Sequence, residues 1–234
     1  MTMHRYAIYF GPRQGEPLHD FGKSWLGIDP ESGAAHAADP LPGYDAEAHA
    51  AMVADPRRYA LHGTLKPPFV LAEGTDADSL RAALSGLARR LSPVTLSPMR
   101  LKRLSGFLAL CPETPPDALG DLAATCVRVL DSFRAPASDA ELARRRKAGL
   151  TARQEAYLQD WGYPYVMEEF RFHVTLTSRL DEDLGNRVIN GLAPRLEPVI
   201  GPNARPIVLR DLCLYAEAGD GTPFRVVERF PLDT

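Results

Sequence analysis

Two short runs of this 234-residue chain alternate apolar and polar positions with a period of two. The first is Arg58-Tyr59-Ala60-Leu61-His62-Gly63-Thr64-Leu65-Lys66-Pro67-Pro68-Phe69, and the second is Phe172-His173-Val174-Thr175-Leu176-Thr177. Both read as strands, the first closed by its proline pair. Side chains two apart on a strand share a face. His62, Thr64 and Lys66 are therefore expected on one side, with Leu61, Gly63 and Leu65 on the other. In the second run Arg171, His173, Thr175 and Thr177 share a face, and Phe172, Val174 and Leu176 back them. Each run carries the tetrad H-x-T-L, an imidazole beside a hydroxyl.

Elsewhere the pattern predicts an opening strand over 5–10 and a strand or hairpin over 100–111 that bends at Ser105-Gly106. Two final strands, 207–216 and 224–230, are joined by a Gly219-Asp220-Gly221 turn. Leu80, Leu84 and Leu87 form a helical stripe behind a cap at Asp76 or Asp78. Further helices are expected over 44–54, from Pro115-Pro116 to Arg134, from Ser138 or Asp139, over 151–159 after a break at Gly149, and from Asp181 or Asp183 to about Gly191. Residues 13–44 read as a long irregular region, and such a length suggests a lid or cleft wall. Strands and helices come in two comparable rounds, with the histidines 111 residues apart. That spacing suits one domain, 1–234, built from two pseudo-symmetric α+β lobes that face a shared cleft.

Composition narrows the function classes. A net charge of −3 argues against a general nucleic-acid binder while leaving room for a local basic patch. Three cysteines without a C-x-x-C pair argue against a disulfide framework or a zinc–thiolate site and make a reducing cytoplasm the default. No apolar stretch approaches 18 residues, and the N-terminal residues lack a secretory pattern, so neither membrane association nor secretion is expected.

The chemistry follows from the tetrads. Of six histidines, only His62 and His173 have Ser or Thr two positions on, although 21 residues are Ser or Thr. One imidazole can take a proton and the other give one near neutrality. Thr64 and Thr175 can donate hydrogen bonds to phosphoryl oxygens. Lys66 adds positive charge if it stays on that face, and is otherwise solvated. Arg171 reaches a phosphate or a surface carboxylate. Trp25, Tyr163 and Tyr165 either stack on a base or sugar or serve ordinary packing. Arg144-Arg145-Arg146-Lys147 reads as a solvated helix face, with an anionic contact as the sharper alternative. Glu168 and Glu169 lack the spacing of a metal site, so neither a metal nor another cofactor is expected.

At this point the residues resemble a known family. Two H-x-[ST] strands at this spacing are similar to the two-histidine (2H) phosphoesterase superfamily. ADPRRYALHGTLKPPF, KSWLGIDPESG, RRKAGLTARQEAYLQDWGYPYV and EEFRFHVTLTSRL resemble, within it, a family of phosphonate-metabolism operon proteins. The resemblance implies an α+β, bilobal, pseudo-two-fold fold whose two antiparallel sheets line a central cleft with helices outside. It also implies metal-independent attack on a cyclic phosphate or phosphodiester by His62 with Thr64 and His173 with Thr175. The expected partner is a small phosphorylated substrate, a phosphoribosyl cyclic phosphate among the candidates. Two other readings stay open: an enzyme of RNA 2′,3′-cyclic phosphates or 2′–5′ linkages, and a non-catalytic binder of a phosphate ligand.

Overall fold

The structure, a computed structural model, describes residues 3–96, 98–219 and 221–233. In chain order the elements are β1 (Arg5–Phe10), α1 (Pro17–Leu26), α2 (Ala46–Met52), α3 (Ala54–Arg57), β2 (Gly63–Phe69), α4 (Ala77–Ala88), β3 (Val94–Thr95), β4 (Met99–Leu104) and β5 (Phe107–Pro112). They continue with α5 (Asp117–Val129), α6 (Asp139–Arg146), α7 (Ala152–Trp161), β6 (Val174–Thr175), α8 (Glu182–Ile200), β7 (Val208–Leu209), β8 (Asp211–Glu217) and β9 (Arg225–Pro231). Single 3₁₀ turns lie at Asp131–Phe133 and Met167–Glu169. The class is α+β with antiparallel sheets, as the alternation of patterns implied.

Seven strands run in the order β4-β5-β6-β2-β1-β8-β9, and β3 pairs separately with β7. The large sheet has a narrow waist. β2 and β6 meet through one paired position, Gly63 opposite Val174, whereas β1 and β8 pair over five. On one side of the waist stand β4, β5 and β6, and on the other β2, β1, β8 and β9. Chain order does not follow this division. The part that carries His62 is completed by β8 and β9, from late in the sequence, and the part that carries His173 by β4 and β5, from its middle.

Local chemistry sets the elements. Asp76 caps α4 by accepting from the Ser79 amide, and Leu80, Leu84 and Leu87 bury its inner face. The bend between β4 and β5 places Ser105 and Gly106 at φ of 47° and 95°, the positive values a two-residue hairpin needs. Thr151 and Gln154 form a reciprocal cap on α7, and Gly162 ends it in the left-handed region. Asp220, the centre of the expected last turn, lies outside the described residues.

Three expectations differ. The first run is a strand only from Gly63, and Pro67-Pro68 do not close it, since β2 runs through them to Phe69, while the second run is a strand only over Val174–Thr175. The region 13–44 contains a true helix, α1, with Pro17 at its first turn and Gly27 ending it at φ 64°. α1 packs against α8 and buries Leu18, Trp25 and Leu26, so the segment belongs to the core. The expected cleft wall is not there, since no residue of 13–44 lines either cavity at the site. α8 also runs on past Gly191 to Ile200, through Pro194 and Pro198. The stripe Val188, Leu192, Leu196 and Val199 remains buried throughout, and that burial offsets what the two prolines cost the helix. Among the described residues no helix is long and apolar enough to cross a membrane.

Candidate active site

The waist is where the two H-x-T-L runs meet. With Gly63 opposite Val174 in an antiparallel pair, His62 comes level with Thr175 and Thr64 comes level with His173. Val174 is fully buried, so its neighbours His173 and Thr175 face the other way, together with His62 and Thr64. The result is a crossed quartet, each imidazole beside the other run's hydroxyl and diagonal to the other imidazole. Diagonal positions on adjacent strands lie roughly 7–8 Å apart. Gly63 makes the crossing possible, because a Cβ there would stand 2.4 Å from the Phe172 ring.

Two adjoining cavities open onto the quartet. One of about 410 Å³ is lined by His62, Thr64 and Thr175 with Tyr9, Tyr59, Tyr163, Arg5, Arg58, Arg144, Arg145 and Asp55 among others. The second, about 310 Å³, is lined by His173 and Thr64 with Phe107, Tyr165, Phe170 and Arg171 among others. Thr64, Pro67 and Tyr163 border both.

The two imidazoles are held alike. His62 Nδ1 lies 3.0 Å from the carbonyl of Ala60, and His173 Nδ1 lies 2.7 Å from that of Arg171. Each acceptor is two residues back. A carbonyl can only accept, so Nδ1 donates in both rings and Nε2 carries the lone pair when the ring is neutral. Neither Nε2 has a hydrogen-bond partner among the described residues. Ala60 aims its carbonyl by adopting φ 54°, a left-handed conformation that costs a non-glycine residue on the order of 1–3 kcal/mol. The Tyr215 hydroxyl, 3.4 Å from the Leu61 carbonyl, braces the same turn.

Their surroundings differ. Tyr9 stacks on His62 with ring centroids 4.0 Å apart, and Tyr59 tilts against it at 5.7 Å. Burial pushes the His62 pKa down to about 4, against the pull of the Ala60 carbonyl and with a further push from His173. His62 is neutral at pH 7. Among the described residues His173 makes one ring contact, with Phe107 at 5.7 Å, and it precedes a two-residue strand.

The other residues singled out from sequence divide. Tyr163 borders both cavities and carries the Arg145 guanidinium over its ring at 4.5 Å. Arg171 lines the His173 cavity, and its Nη1 folds back to donate to the carbonyls of Glu168 and Phe170. Lys66 does not join them. Tyr9 pairs with Thr64 and Ile8 with Lys66, so one step on β1 spans two on β2 and Leu65 is bulged. Thr64 thus keeps the face of Tyr9 while Lys66 is turned to the buried face of Ile8. The residue is 1% exposed, with Nζ 3.3 Å from the Val127 carbonyl at the end of α5 and 3.4 Å from Asp131. Burial lowers its pKa to about 8, with Asp131 opposing. Trp25, also 1% exposed, is a core residue whose indole donates to the Leu176 carbonyl at 2.7 Å. It braces the second run from behind and touches neither cavity. Thr177 likewise turns inward and accepts from the Leu108 amide.

Arg5, Arg58, Arg144 and Arg145 line the His62 cavity, although only the last two stood out in the sequence, and as a solvated face. Arg58, four residues before His62, was the legible signal. Among the described residues no group of three or more His, Cys, Asp or Glu stands close enough to hold a metal ion.

With this geometry in place, the chain can be compared with known proteins. A family model described as a protein of unknown function, DUF1045, matches residues 64–225. The chain belongs to the DUF1045 family. This DUF1045 protein is 38% identical over 233 residues to a ribose 1,5-bisphosphate phosphokinase PhnN of Janthinobacterium sp. (strain Marseille), across 98% of this chain and 51% of that protein. To the PhnN of Laribacter hongkongensis (strain HLHK9) it is 36% identical over 224 residues, across 95% of this chain and 50% of that one. The chain spans about half the length of these curated relatives. Among solved structures, Escherichia coli LigT in complex with NADP+ is similar with a TM-score of 0.46 and 17% identity, covering 100% of both chains. LigT with 3′-AMP has a TM-score of 0.43 at 17% identity, again over 100% of both chains.

Proposed function

We propose that this DUF1045 protein is a two-histidine phosphoesterase that hydrolyses a small cyclic phosphate or phosphodiester without a metal. The observation that carries the reading is the matched pair of imidazoles. Each is fixed through Nδ1 to a carbonyl two residues back, and each presents a free Nε2 beside a threonine.

The roles follow from the surroundings. His62, neutral at pH 7, takes a proton from water as the water oxygen bonds to phosphorus. The phosphorus–oxygen ester bond breaks on the opposite side, and His173 gives a proton to the departing sugar oxygen. Thr64 and Thr175 donate hydrogen bonds to the non-bridging oxygens as charge gathers there. The product is a ring-opened phosphate monoester. The next cycle begins when the proton on His62 has been lost and His173 has regained one from solvent.

Substrate size and charge come from the cavity. A volume of about 410 Å³ fits a small ligand. The longer relatives are named for ribose 1,5-bisphosphate, a phosphorylated pentose, and that name supports a phosphorylated sugar as the substrate class. The phosphokinase half of the name has no counterpart here, because the sequence contains no G-x-x-x-x-G-K-[ST] run. Its nearest approach, Gly22-Lys23-Ser24, has Pro17 where the first glycine would stand and lies inside α1.

The test is a panel of cyclic phosphates followed by phosphorus NMR: ribose cyclic phosphates, nucleoside 2′,3′-cyclic phosphates and a short RNA ending in a 2′,3′-cyclic phosphate. Turnover of a sugar cyclic phosphate that persists after exhaustive chelation is the expected result. Preference for the RNA end would move the assignment to RNA processing. Binding without turnover across the panel would make the protein a phosphate-ligand sensor.

A further inference from the structure

We propose that the His62 cavity holds a second phosphate group, separate from the one that reacts, on Arg58, Arg144 and Arg145. The substrate class is then a cyclic phosphate ester that bears a further phosphomonoester. This inference rests on the two-histidine reading and extends it to the far end of the substrate.

Four arginines line this cavity against one carboxylate, Asp55. Arg5 is committed to Glu217, with which it forms a close ion pair. The other three have positive charge to spare. Arg58 has no ion pair or side-chain hydrogen bond among the described residues. Arg144 is 68% exposed and 3.8 Å from Glu141, a carboxylate it shares with Arg145. Arg145 is the most constrained. Its Nη2 donates to Glu141 at 3.0 Å and its plane lies over Tyr163, yet its Nε is buried without a hydrogen-bond partner. A charged donor left buried and unpaired is costly, and an acceptor that arrives with the substrate removes that cost. Guanidinium forks match phosphate oxygens in geometry as well as charge.

The position separates this anion from the reacting one. A phosphoryl group reached by both imidazoles sits where the two cavities join, beside Thr64 and Tyr163. Arg58, Arg144 and Arg145 border the His62 cavity and are absent from the His173 cavity. What they hold lies to one side of the reacting centre, at the other end of a molecule that fills the cavity.

The experiment compares a ribose cyclic phosphate with and without a second phosphate on its 5-hydroxyl, in wild type and in Arg58→Gln, Arg144→Gln and Arg145→Gln. In wild type the second phosphate is expected to raise kcat/KM by at least about a hundredfold. Each substitution should cut that advantage by about ten- to a hundredfold, the worth of one hydrogen bond between charged groups. Equal losses on both substrates, or an advantage below threefold in wild type, would overturn the subsite. A binding arm keeps it independent of turnover. Ribose 5-phosphate, measured by calorimetry, should bind wild type and His173→Ala within threefold of each other and bind the arginine variants at least tenfold more weakly. If no cyclic phosphate is turned over while this binding pattern holds, the hydrolase assignment fails and the subsite stands. If cyclic phosphates are turned over but ribose 5-phosphate shows no binding to wild type, the subsite fails alone.

Discussion

His62 and His173 occupy equivalent places in two nearly identical tetrads, and the fold treats them differently. His62 adjoins a seven-residue strand paired on both sides and lies against Tyr9 and Tyr59. His173 precedes a two-residue strand at the waist, with one ring contact among the described residues. The shared feature, Nδ1 on a carbonyl two residues back, fixes the tautomer. The unshared feature, burial, fixes the protonation state of His62. Symmetry of motif therefore supplies two equivalent imidazoles, and asymmetry of packing is what separates the proposed base from the proposed acid.

The strongest way to break this comparison is to delete either ring. His62→Ala and His173→Ala should each lower kcat by about 10²–10⁴-fold with the fold retained, and the double variant should lose far less than the product, because the two act as a unit. Single-turnover rates together with circular dichroism check this. Multiplicative losses would mean the rings work separately.

Acid sharpens the comparison next. Because the His62 pKa falls from 6.5 to about 4 in the folded protein, the unfolded chain binds the extra proton first as pH drops. This contribution to stability is complete above pH 6.5 and is lost as pH falls toward 4, by at most about 3 kcal/mol. Denaturant titrations at pH 7 and pH 4.5 should show a smaller loss for His62→Gln than for wild type. The acid limb of kcat/KM should likewise be displaced well below 6.5. A limb centred at 6.5 would hand the base role to another group.

Gly63→Ala attacks the crossing itself. Its Cβ would meet the Phe172 ring, and overpacking of this kind costs about 1–3 kcal/mol. The unfolding free energy from urea titration should fall by that amount, and kcat should fall with it, because the same shift moves the runs apart.

The smallest expected effect is at Lys66. Lys66→Met leaves Asp131 paired with Arg134 at 2.8 Å and removes a charge from a buried site, so kcat/KM should change less than threefold. A larger drop would return Lys66 to the substrate.

Sequence reading reached far where local rules govern and stopped where distant contacts decide. The cap at Asp76, the bend at Ser105-Gly106 and the presence of a strand in each H-x-T-L run are local and were legible, whereas the ends of those strands were not. The bulge at Leu65 depends on the register with β1, which no window around Lys66 contains. α1 was passed over because its Gly- and Pro-rich surroundings mask the stripe of Leu18, Trp25 and Leu26. The arginines that line the cavity come from β1, from the turn after α3 and from α6, and only folding gathers them. Strand partners were also hidden, since the two rounds of the pattern gave no sign that each part of the sheet borrows from the other.

That borrowing has a consequence for how the protein comes into being. Tyr9, the ring beneath His62, leans on Tyr215 and Phe224, with centroids 5.0 and 6.2 Å away. A chain emerging from the ribosome carries both tetrads long before it carries this wall. Until residues 211–231 are free to pair, β1 lacks its β8 neighbour and the His62 ring its backing. Contacts so distant in sequence form slowly. Assembly of the site thus waits for β8 and β9, and a nascent chain stalled before β8 holds every proposed catalytic residue without the means to orient them.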